Sequence, residues 1–279
     1  MRLTLPMPNA NNVAAGQTAT WDLPIGRRYH NLFLEYSGVT LPQMTEIRIT
    51  ANGSVIHRYS GAERDSMNQF DGRAAAAGVL VVPFDRYALY SQGGEERTAI
   101  QTNSADPKTG VKIVNFKVEI DIDAAAAAPV INITAEQSNN LTGALAGPGK
   151  ILRILPFVRT FTASGEVELS DLPKATEGPA YQFINRVFFK SANMTKLEIV
   201  QDNVQLFKRT KALNERLQSD GVRVPQSGYF AFDPVEAGYD YELLPLVYPT
   251  GAPVQDFRYK PTLSAGETVK AIVEYLGSL

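Results

Sequence analysis

The chain has 279 residues, no cysteine and a formal net charge of −2 at pH 7. The lack of cysteine excludes disulfides, thiolate metal sites and cysteine nucleophiles, and the near-neutral charge offers no basic excess for wrapping nucleic acid. No apolar run is long enough for a signal peptide or for a membrane-spanning helix of about 20 residues, so we expect a soluble protein without the usual secretion signal.

The first half is dominated by strand patterns. In "FKVEIDID" the side chains alternate between apolar and charged, which is typical of a half-buried strand. "NLFLEYS" and "EIRIT" also predict strands, and Asn52-Gly53 predicts a type I′ hairpin turn because both central residues need positive φ. A short helix is predicted from Ser60 to Gly72, with a serine suited to the N-cap and a glycine suited to the C′ position.

Three segments of the first half are less regular. Met1 to Gly16 is polar and rich in Asn and Pro, and we interpret it as an arm that packs on a neighbour or as a disordered lead. "DAAAAAPV" is too short for a stable helix and reads as a tight connector. Glu136 to Lys150 is the most loop-like stretch, so we place a domain boundary there, with domains at 1–140 and 141–279.

The second half repeats the strand-rich pattern. "GEVELSDL", "RVFFKSA", "KLEIVQD", "YELLPLVY" and "VKAIVEYL" predict strands. A second short helix is predicted from Thr210 to Gly221.

The two halves also resemble each other. "MTEIRITANGSVIHRYS" (44–60) returns as "MTKLEIVQDNVQLFKRT" (194–210) at an offset of 150 residues. Four further similarities occur in the same order in both halves. "DLP" occurs once in each half, and each predicted helix ends in Asp-Gly. "GVLVVPFD" is then matched with "GYFAFD", and "FKVEIDI" with "AIVEYLG". This period is far too long for a solenoid and indicates a duplicated domain.

Each repeat of about 140 residues has the size of a domain. About eight short strands and one helix per repeat favour a jelly roll, whose two facing sheets manage exposed strand edges. The predicted fold is therefore all-β, with two tandem eight-stranded jelly rolls (a double jelly roll), each with a short flanking helix. The hairpins at 44–60 and 194–210 are expected to occupy equivalent strands.

Six segments, spread in order along the whole chain, resemble the major capsid protein of corticoviruses, the tailless icosahedral phages with an internal membrane. These segments are "NVAAG" (12–16), "LPIG" (23–26), "YSGVT" (36–40), "DIDAAAAAP" (121–129), "DLP" (171–173) and "IVEYLG" (272–277).

The resemblance implies a double jelly roll of the lineage that includes adenovirus hexon. It implies a structural capsid protein without enzymatic activity, which forms a homotrimeric capsomer with a pseudo-hexagonal outline that tiles the facets of an icosahedral shell over an internal membrane. The two barrels of one chain would then be related by a rotation of about sixty degrees around the trimer axis. The implied partners are other copies of the chain, neighbouring capsomers, the vertex (penton) protein and internal membrane proteins. Sequence-specific nucleic-acid binding is not expected, and the implied location is the virion capsid after synthesis in the host cytoplasm.

One cluster of carboxylates has three interpretations. Glu119, Asp121 and Asp123 lie two residues apart on one strand face. They could form a calcium site, which prefers hard oxygen ligands and with which capsids of the resembled family are associated. They could also be a glycosidase acid–base pair, or a strand face that is salt-bridged or exposed to water.

Other motifs carry weaker chemical signals. His30 and His57 have no metal-ligand spacing, no Ser/His/Asp signature is present, and neither "AAGQTAT" nor "GPGK" has phosphate-loop spacing. The pairs Arg27-Arg28 and Lys208-Arg209 are too few for phosphate binding and are interpreted as solvated or intersubunit contacts.

The aromatic residues near the end offer an alternative function. Six of them could form a sugar-stacking surface or pack in cores and interfaces: Tyr229, Phe230, Phe232, Tyr239, Tyr241 and Tyr248. The alternative to a capsid protein is thus a two-domain jelly-roll carbohydrate-binding protein or glycosidase. A single-barrel spike or minor capsid protein is disfavoured by the duplication.

Overall fold

The computed structural model describes residues 1–279. Its strands are β1 Leu3–Pro6, β2 Thr18–Asp22, β3 Arg28–Ser37, β4 Met44–Ala51, β5 Ser54–Tyr59, β6 Val79–Pro83, β7 Ile100–Gln101, β8 Phe116–Ile122, β9 Val130–Ser138, β10 Ile151–Phe161, β11 Gly165–Glu166, β12 Phe183–Lys190, β13 Met194–Gln201, β14 Val204–Thr210, β15 Tyr229–Phe232, β16 Leu244–Pro245, β17 Phe257–Leu263 and β18 Glu267–Gly277. The α-helices are α1 Gly61–Phe70, α2 Gln92–Glu95 and α3 Lys211–Gln218, and 3-10 turns occur at Leu41–Gln43, Glu96–Thr98, Gly143–Leu145, Ala175–Glu177 and Pro179–Tyr181.

Strands β1 to β9 form a first barrel from two facing sheets. One sheet has the order β1-β9-β3-β6, with the two-residue strand β7 beside β3, and the other has the order β5-β4-β8-β2. All pairs within these sheets are antiparallel. Because strands from the two ends of the unit alternate in each sheet, the topology is that of a jelly roll.

Strands β10 to β18 repeat this arrangement. Their sheets have the orders β10-β18-β12-β15, with β16 beside β12, and β11-β17-β13-β14. Replacing each strand of the first barrel by the strand nine places later reproduces every neighbour pair. The predicted all-β double jelly roll, with a short helix beside each barrel, is confirmed.

The repeated hairpins occupy equivalent strands, as predicted. The first hairpin is β4–β5 and the second is β13–β14. Their turn residues all have positive φ, with 50° at Asn52, 79° at Gly53, 48° at Asp202 and 64° at Asn203. A register shift also falls at the same place in both hairpins, directly after Ile49 and Ile199. The duplication therefore extends to the β-bulge.

One predicted correspondence between the halves is wrong. "FKVEIDI" is β8, which pairs with β2 and β4, and its equivalent is β17, which pairs with β11 and β13. "AIVEYLG" lies in β18, whose equivalent is β9. Alternating side chains report which face of a strand is buried but not which strand lies beside it, so the pattern alone could not separate these strands.

Three predicted segments also differ from the structure. "GEVELSDL" is a strand only at Gly165–Glu166, and "YELLPLVY" only at Leu244–Pro245, where the proline lacks the N–H that a longer ladder needs. Part of the predicted N-terminal arm, Leu3–Pro6, is strand β1 and pairs with β9. This segment is the edge strand of its sheet, in the position that β10 has beside β18 in the second barrel.

The flanking helices are equivalent as well. Ser60 caps α1 by accepting from the Glu63 N–H, and Thr210 caps α3 by accepting from the Leu213 N–H. Near the other end, the Asn68 amide of α1 donates to the Val81 carbonyl of β6 at 2.8 Å. The Gln218 amide of α3 donates to the Ala231 carbonyl of β15 at 3.0 Å. Each helix is thus hydrogen-bonded to the equivalent strand of its own barrel, β6 for α1 and β15 for α3.

The two barrels share one continuous sheet. β5 runs parallel to β10 through the register pair His57 and Ile154, so the β5-β4-β8-β2 sheet continues into the β10-β18-β12-β15 sheet. Residues 139–150 connect β9 to β10, and the division of the domains after residue 140 stays a prediction. No helix has the length and apolar character required to cross a membrane.

Candidate functional site

The predicted acidic residues lie on the outer face of the first barrel, around one arginine. Arg48 of β4 donates from Nε to Glu119 Oε2 at 3.0 Å and from Nη1 to Asp121 Oδ2 at 3.2 Å. Arg48 Nη1 also reaches Glu46 Oε1 at 2.6 Å. Asp123 lies beyond the end of β8 and accepts from the Ala125 N–H at 2.7 Å. The structure thus brings Glu119 and Asp121 together and leaves Asp123 in a turn.

These residues do not fit a calcium site. A guanidinium occupies the position between the carboxylates where a cation would bind, and Asp121 also accepts from the Thr18 hydroxyl at 2.6 Å. No group of three or more His, Asp or Glu side chains is arranged to hold a metal ion. The geometry favours the interpretation as a salt-bridged strand face, and calcium binding stays an untested prediction.

The equivalent face of the second barrel carries the inverted charges. The cross-strand pair Arg48–Glu119 on β4 and β8 becomes Glu198–Lys260 on β13 and β17. Glu198 in turn binds Lys208 Nζ at 2.7 Å. Opposite charges therefore still face each other across these strands while their polarity is reversed, as expected for a structural cross-strand arrangement rather than for a set of metal ligands.

The six aromatic residues of the second half do not form one surface. Phe230 and Phe232 are buried in the core of the second barrel, and Tyr229 packs against the first core. Tyr239 and Tyr241 are exposed and stack with ring centroids 5.3 Å apart. Tyr90 from the first barrel joins them, 5.0 Å from Tyr239.

The other predicted polar residues have structural partners. His30 is buried, with Nδ1 2.9 Å from Asp85 and Nε2 2.8 Å from Ser138. Arg28 binds Glu96 at 3.0 Å, and Arg209 binds Glu236 at 2.6 Å.

The most extensive polar arrangement lies where the barrels meet, and the sequence did not predict it. The outer face of the β10-β18-β12-β15 sheet is covered by α1 and the first barrel, so Phe188, Ala231 and Ile272 belong to the first barrel's hydrophobic core. Phe70 of α1 packs edge-on against Phe188, with ring centroids 5.2 Å apart. We call this contact region the inter-barrel junction.

A buried arginine binds both barrels at the junction. Arg186 of β12 donates from Nε to Glu274 of β18 at 3.1 Å and from Nη1 to Asp71, the C-cap residue of α1. All three side chains are at least nine-tenths buried. Burial lowers the pKa of Arg186, but the two carboxylates outweigh it and hold the pKa well above its usual value. The cation therefore stays charged and ties the helix to the sheet.

Hydrogen bonds extend this network across the junction. Arg86 of the first barrel donates from Nε to the Asn185 side-chain oxygen at 2.9 Å, and the Asn185 amide donates to Glu274 at 2.5 Å. Such partners satisfy buried polar groups that would otherwise be costly to desolvate.

A second ion pair closes the junction at its edge. The buried Glu63 of α1 accepts from Lys270 Nζ at 2.7 Å and 2.8 Å, and Lys190 Nζ lies 3.5 Å away. Burial raises the pKa of Glu63, but the hydrogen bond from Lys270 outweighs this effect and the pKa lies below its usual value. Glu63 is thus a second anion, besides Asp71, that α1 presents to the second barrel.

His57 lies at the register pair that joins the sheets. Its Nε2 is 3.2 Å from the Leu152 carbonyl, which can only accept, so Nε2 carries the proton. Its Nδ1 then accepts from the Tyr59 hydroxyl at 3.1 Å. Complete burial, reinforced by the charge of Arg64, lowers the pKa of His57 to about 3. The imidazole is therefore neutral at physiological pH.

A signal for the junction is present in the sequence. "RVFFK" and "AIVEYL" are nearly continuous apolar runs interrupted by single charges, and β12 and β18 are buried on both faces. Continuous runs are typical of strands covered on both sides. Which residues cover them could not be predicted, because the covering helix lies more than 100 residues away.

Comparison with known proteins agrees with this architecture. The model of the viral coat protein P2 N-terminal domain matches residues 4–138, and the model of the P2 C-terminal domain matches residues 151–279. The chain belongs to the viral coat protein P2 family. A relative, the major capsid protein P2 of Pseudoalteromonas phage PM2, is 27% identical over 99% of this chain and 97% of its own length.

Solved structures support the same assignment for this P2-family protein. The crystal structure of the major capsid protein P2 from bacteriophage PM2 aligns with 99% of this chain over 97% of its own length, with a TM-score of 0.86 and 25% sequence identity. The major capsid protein of Sulfolobus turreted icosahedral virus matches 99% of the chain and 97% of its own, with a TM-score of 0.67 at 12% identity, which shows the fold alone. The P2-family protein is thus a major capsid protein with the double jelly-roll fold. The matched families and relatives are structural proteins of the virion rather than enzymes.

Proposed function

We propose that three copies of this capsid protein form one capsomer, in which the second barrel of each copy packs on the first barrel of the next. Six barrels then form a ring of pseudo-hexagonal outline, which can tile the facets of an icosahedral shell. The support comes from comparing surfaces that the duplication makes equivalent.

The observation that carries the proposal is the contrast between the two flanking helices. Most of α1 is buried in the inter-barrel junction, whereas in α3 only Asn214 and Gln218 are buried. Leu213 and Leu217 of α3 are both 49% exposed. An uncovered helix whose equivalent is covered by a barrel is expected to receive the corresponding barrel from another copy.

The strand edges show the same contrast. The edge of β5 is covered by β10, but its equivalent β14 is an open edge, with Val204 60% exposed and Leu206 46% exposed. The counterpart of β10 is β1, which is also an open edge of its sheet. Contact between β14 of one copy and β1 of the next would repeat the internal contact and cover both edges.

Light scattering on the purified protein tests this proposal. We expect a particle of three times the 30.5 kDa chain mass, and Leu217→Asp should convert it to smaller species because a charge would enter an apolar contact. Leu145→Asp, which alters a 66% exposed leucine of the 139–150 segment, is the matched control and should stay trimeric. A monomeric wild-type protein at micromolar concentration would contradict the proposal.

The proposed capsomer has further partners in the virion. We propose that it packs against neighbouring capsomers, the vertex protein and proteins of an internal membrane, after synthesis in the host cytoplasm. Cryo-electron microscopy of the assembled particle tests these contacts. A protein shell with no lipid bilayer beneath it would contradict the proposed contact with membrane proteins.

A further inference from the structure

The internal junction provides a template for the contact between copies, on the basis of the proposed capsomer. Phe188 of β12 is paired with Ala231 of β15, and Phe33 of β3 is paired with Val81 of β6 in the same sheet positions. The outer face around Phe188 is covered by α1, whereas Phe33 lies on the uncovered outer face of the first barrel. We call this uncovered surface the acceptor face.

Register then assigns the charged positions on the acceptor face. Two residues beyond Phe188, Lys190 is opposite Tyr229 and Lys270. Two residues beyond Phe33, Glu35 is opposite Val79 and Asn132. Glu35 therefore occupies the position of Lys190, and the acceptor face carries an acid where the internal junction carries a base.

The helices show the opposite change. From the caps at Ser60 and Thr210, Glu63 of α1 corresponds to Leu213 of α3, and Ser66 corresponds to Arg216. Glu63 is an anion of the internal junction and binds Lys270, whereas Arg216 is exposed and has no ion pair within 4 Å. The helix thus loses an acid at one position and gains a base at another, while the sheet position of Lys190 becomes acidic.

The template also shows which residues would meet. Ser66 of α1 and Tyr229 line the same small crevice, and Tyr229 is paired with Lys190. The corresponding set is Arg216 of α3 with Val79 and Glu35. Glu35 is exposed, and its only side-chain partner is the Thr134 hydroxyl at 2.9 Å.

We propose that Arg216 of one copy pairs with Glu35 of the next copy, and that this reversed polarity selects the partner surface. Docking of α3 on a lysine-bearing face like that of the second barrel would bring Arg216 towards Lys190 and Lys270, which is unfavourable for like charges. Barrels of the first and second kind therefore alternate around the ring.

Charge-reversal variants test the pairing by light scattering over a dilution series. Glu35→Arg and Arg216→Glu should each weaken association of the trimer by roughly tenfold or more, and the double variant should restore it. Asp22→Arg is the matched control, because it makes the same charge change on the opposite sheet of the first barrel and should associate as the wild type does. Single variants that associate like the wild type would overturn the pairing while the trimer remains.

A second measurement uses the lack of cysteine in the chain. In the double variant Glu35→Cys and Arg216→Cys, a short bis-maleimide cross-linker should link copies into covalent dimers and trimers, because an arginine–glutamate pair can span Cα separations beyond the limit of about 7 Å for a disulfide. Each single cysteine variant should give no covalent trimer. Trimers in solution that do not cross-link would overturn this inference alone, whereas a monomeric wild type would overturn the proposed capsomer as well.

Discussion

Helices α1 and α3 each have a hydroxyl N-cap and an amide side chain that donates a hydrogen bond to the equivalent strand, and they occupy the same place in their barrels. Their surroundings nevertheless differ. α1 is enclosed between two barrels and carries a buried glutamate, whereas α3 presents two leucines and an arginine at the surface. The difference shows that the equivalent surfaces of a duplicated fold can serve two purposes. One makes the chain rigid, and the other is left for association.

The largest effect is expected at the ion pair inside the junction. Arg186→Met should lower the free energy of unfolding by about 3–5 kcal/mol, because Asp71 and Glu274 would lose the buried cation between them. Arg159→Met is the matched control: its pair with Asp171 is largely exposed and should contribute at most about 1 kcal/mol. Urea unfolding at one protein concentration measures both, and equal losses would mean that the junction is not a special source of stability.

Equivalent apolar positions on the two helices should differ in their contribution to stability. Met67 of α1 is buried, so Met67→Ala should destabilise the chain by about 2–4 kcal/mol. Leu217 of α3 is its counterpart and is half exposed, so Leu217→Ala should change the stability of the chain by about 0.5 kcal/mol or less.

The association of these two variants should show the reverse order. Leu217→Ala is expected to weaken the trimer in light scattering, because the leucine lies on the proposed contact surface. Folded Met67→Ala should associate normally. The same ranking of the two variants in both measurements would argue against separate roles for α1 and α3.

Acid should weaken the junction through His57. The pKa of His57 is about 3 in the folded protein, against about 6.5 when unfolded, so the unfolded state binds more protons between these values. Stability from the neutral imidazole is fully present above pH 6.5 and is lost as the pH falls, by about 2–3 kcal/mol at pH 4.5. His57→Gln should show a smaller loss of unfolding free energy between pH 7 and 4.5. An identical pH dependence would contradict burial of a neutral histidine.

The smallest effect is expected from calcium. A calcium site with a dissociation constant of about 1 mM would stabilise the protein by about 1.4 kcal/mol at about 10 mM calcium. We expect no calcium-specific rise in the melting temperature, because the guanidinium of Arg48 occupies the carboxylate cluster. Arg48→Gln removes that cation and should gain a small rise with calcium, with magnesium as the control ion. A rise in the wild-type protein would restore the calcium interpretation of Glu119 and Asp121.

Much of the fold could be predicted because its signals are local. Asn52-Gly53 and Asp202-Asn203 take the positive φ that a tight hairpin requires, wherever the hairpin lies in the protein. The constant offset of 150 residues between the hairpins then revealed the duplication. Correspondence failed for β8 and β18, because alternation describes the two faces of a strand and not its neighbours.

Two similar all-β units, their hairpins and their helix caps could be predicted from the amino-acid sequence, since each depends on residues a few positions apart. Three further features became visible only in the folded chain. Arg186 binds Asp71, 115 residues earlier, Glu63 is neutralised by Lys270, and α1 is covered while α3 is exposed. These facts depend on how two barrels with nearly the same topology pack against each other. The two halves of the chain are similar in sequence, but the surfaces around α1 and α3 differ in what covers them. That difference is the basis of the proposed assembly.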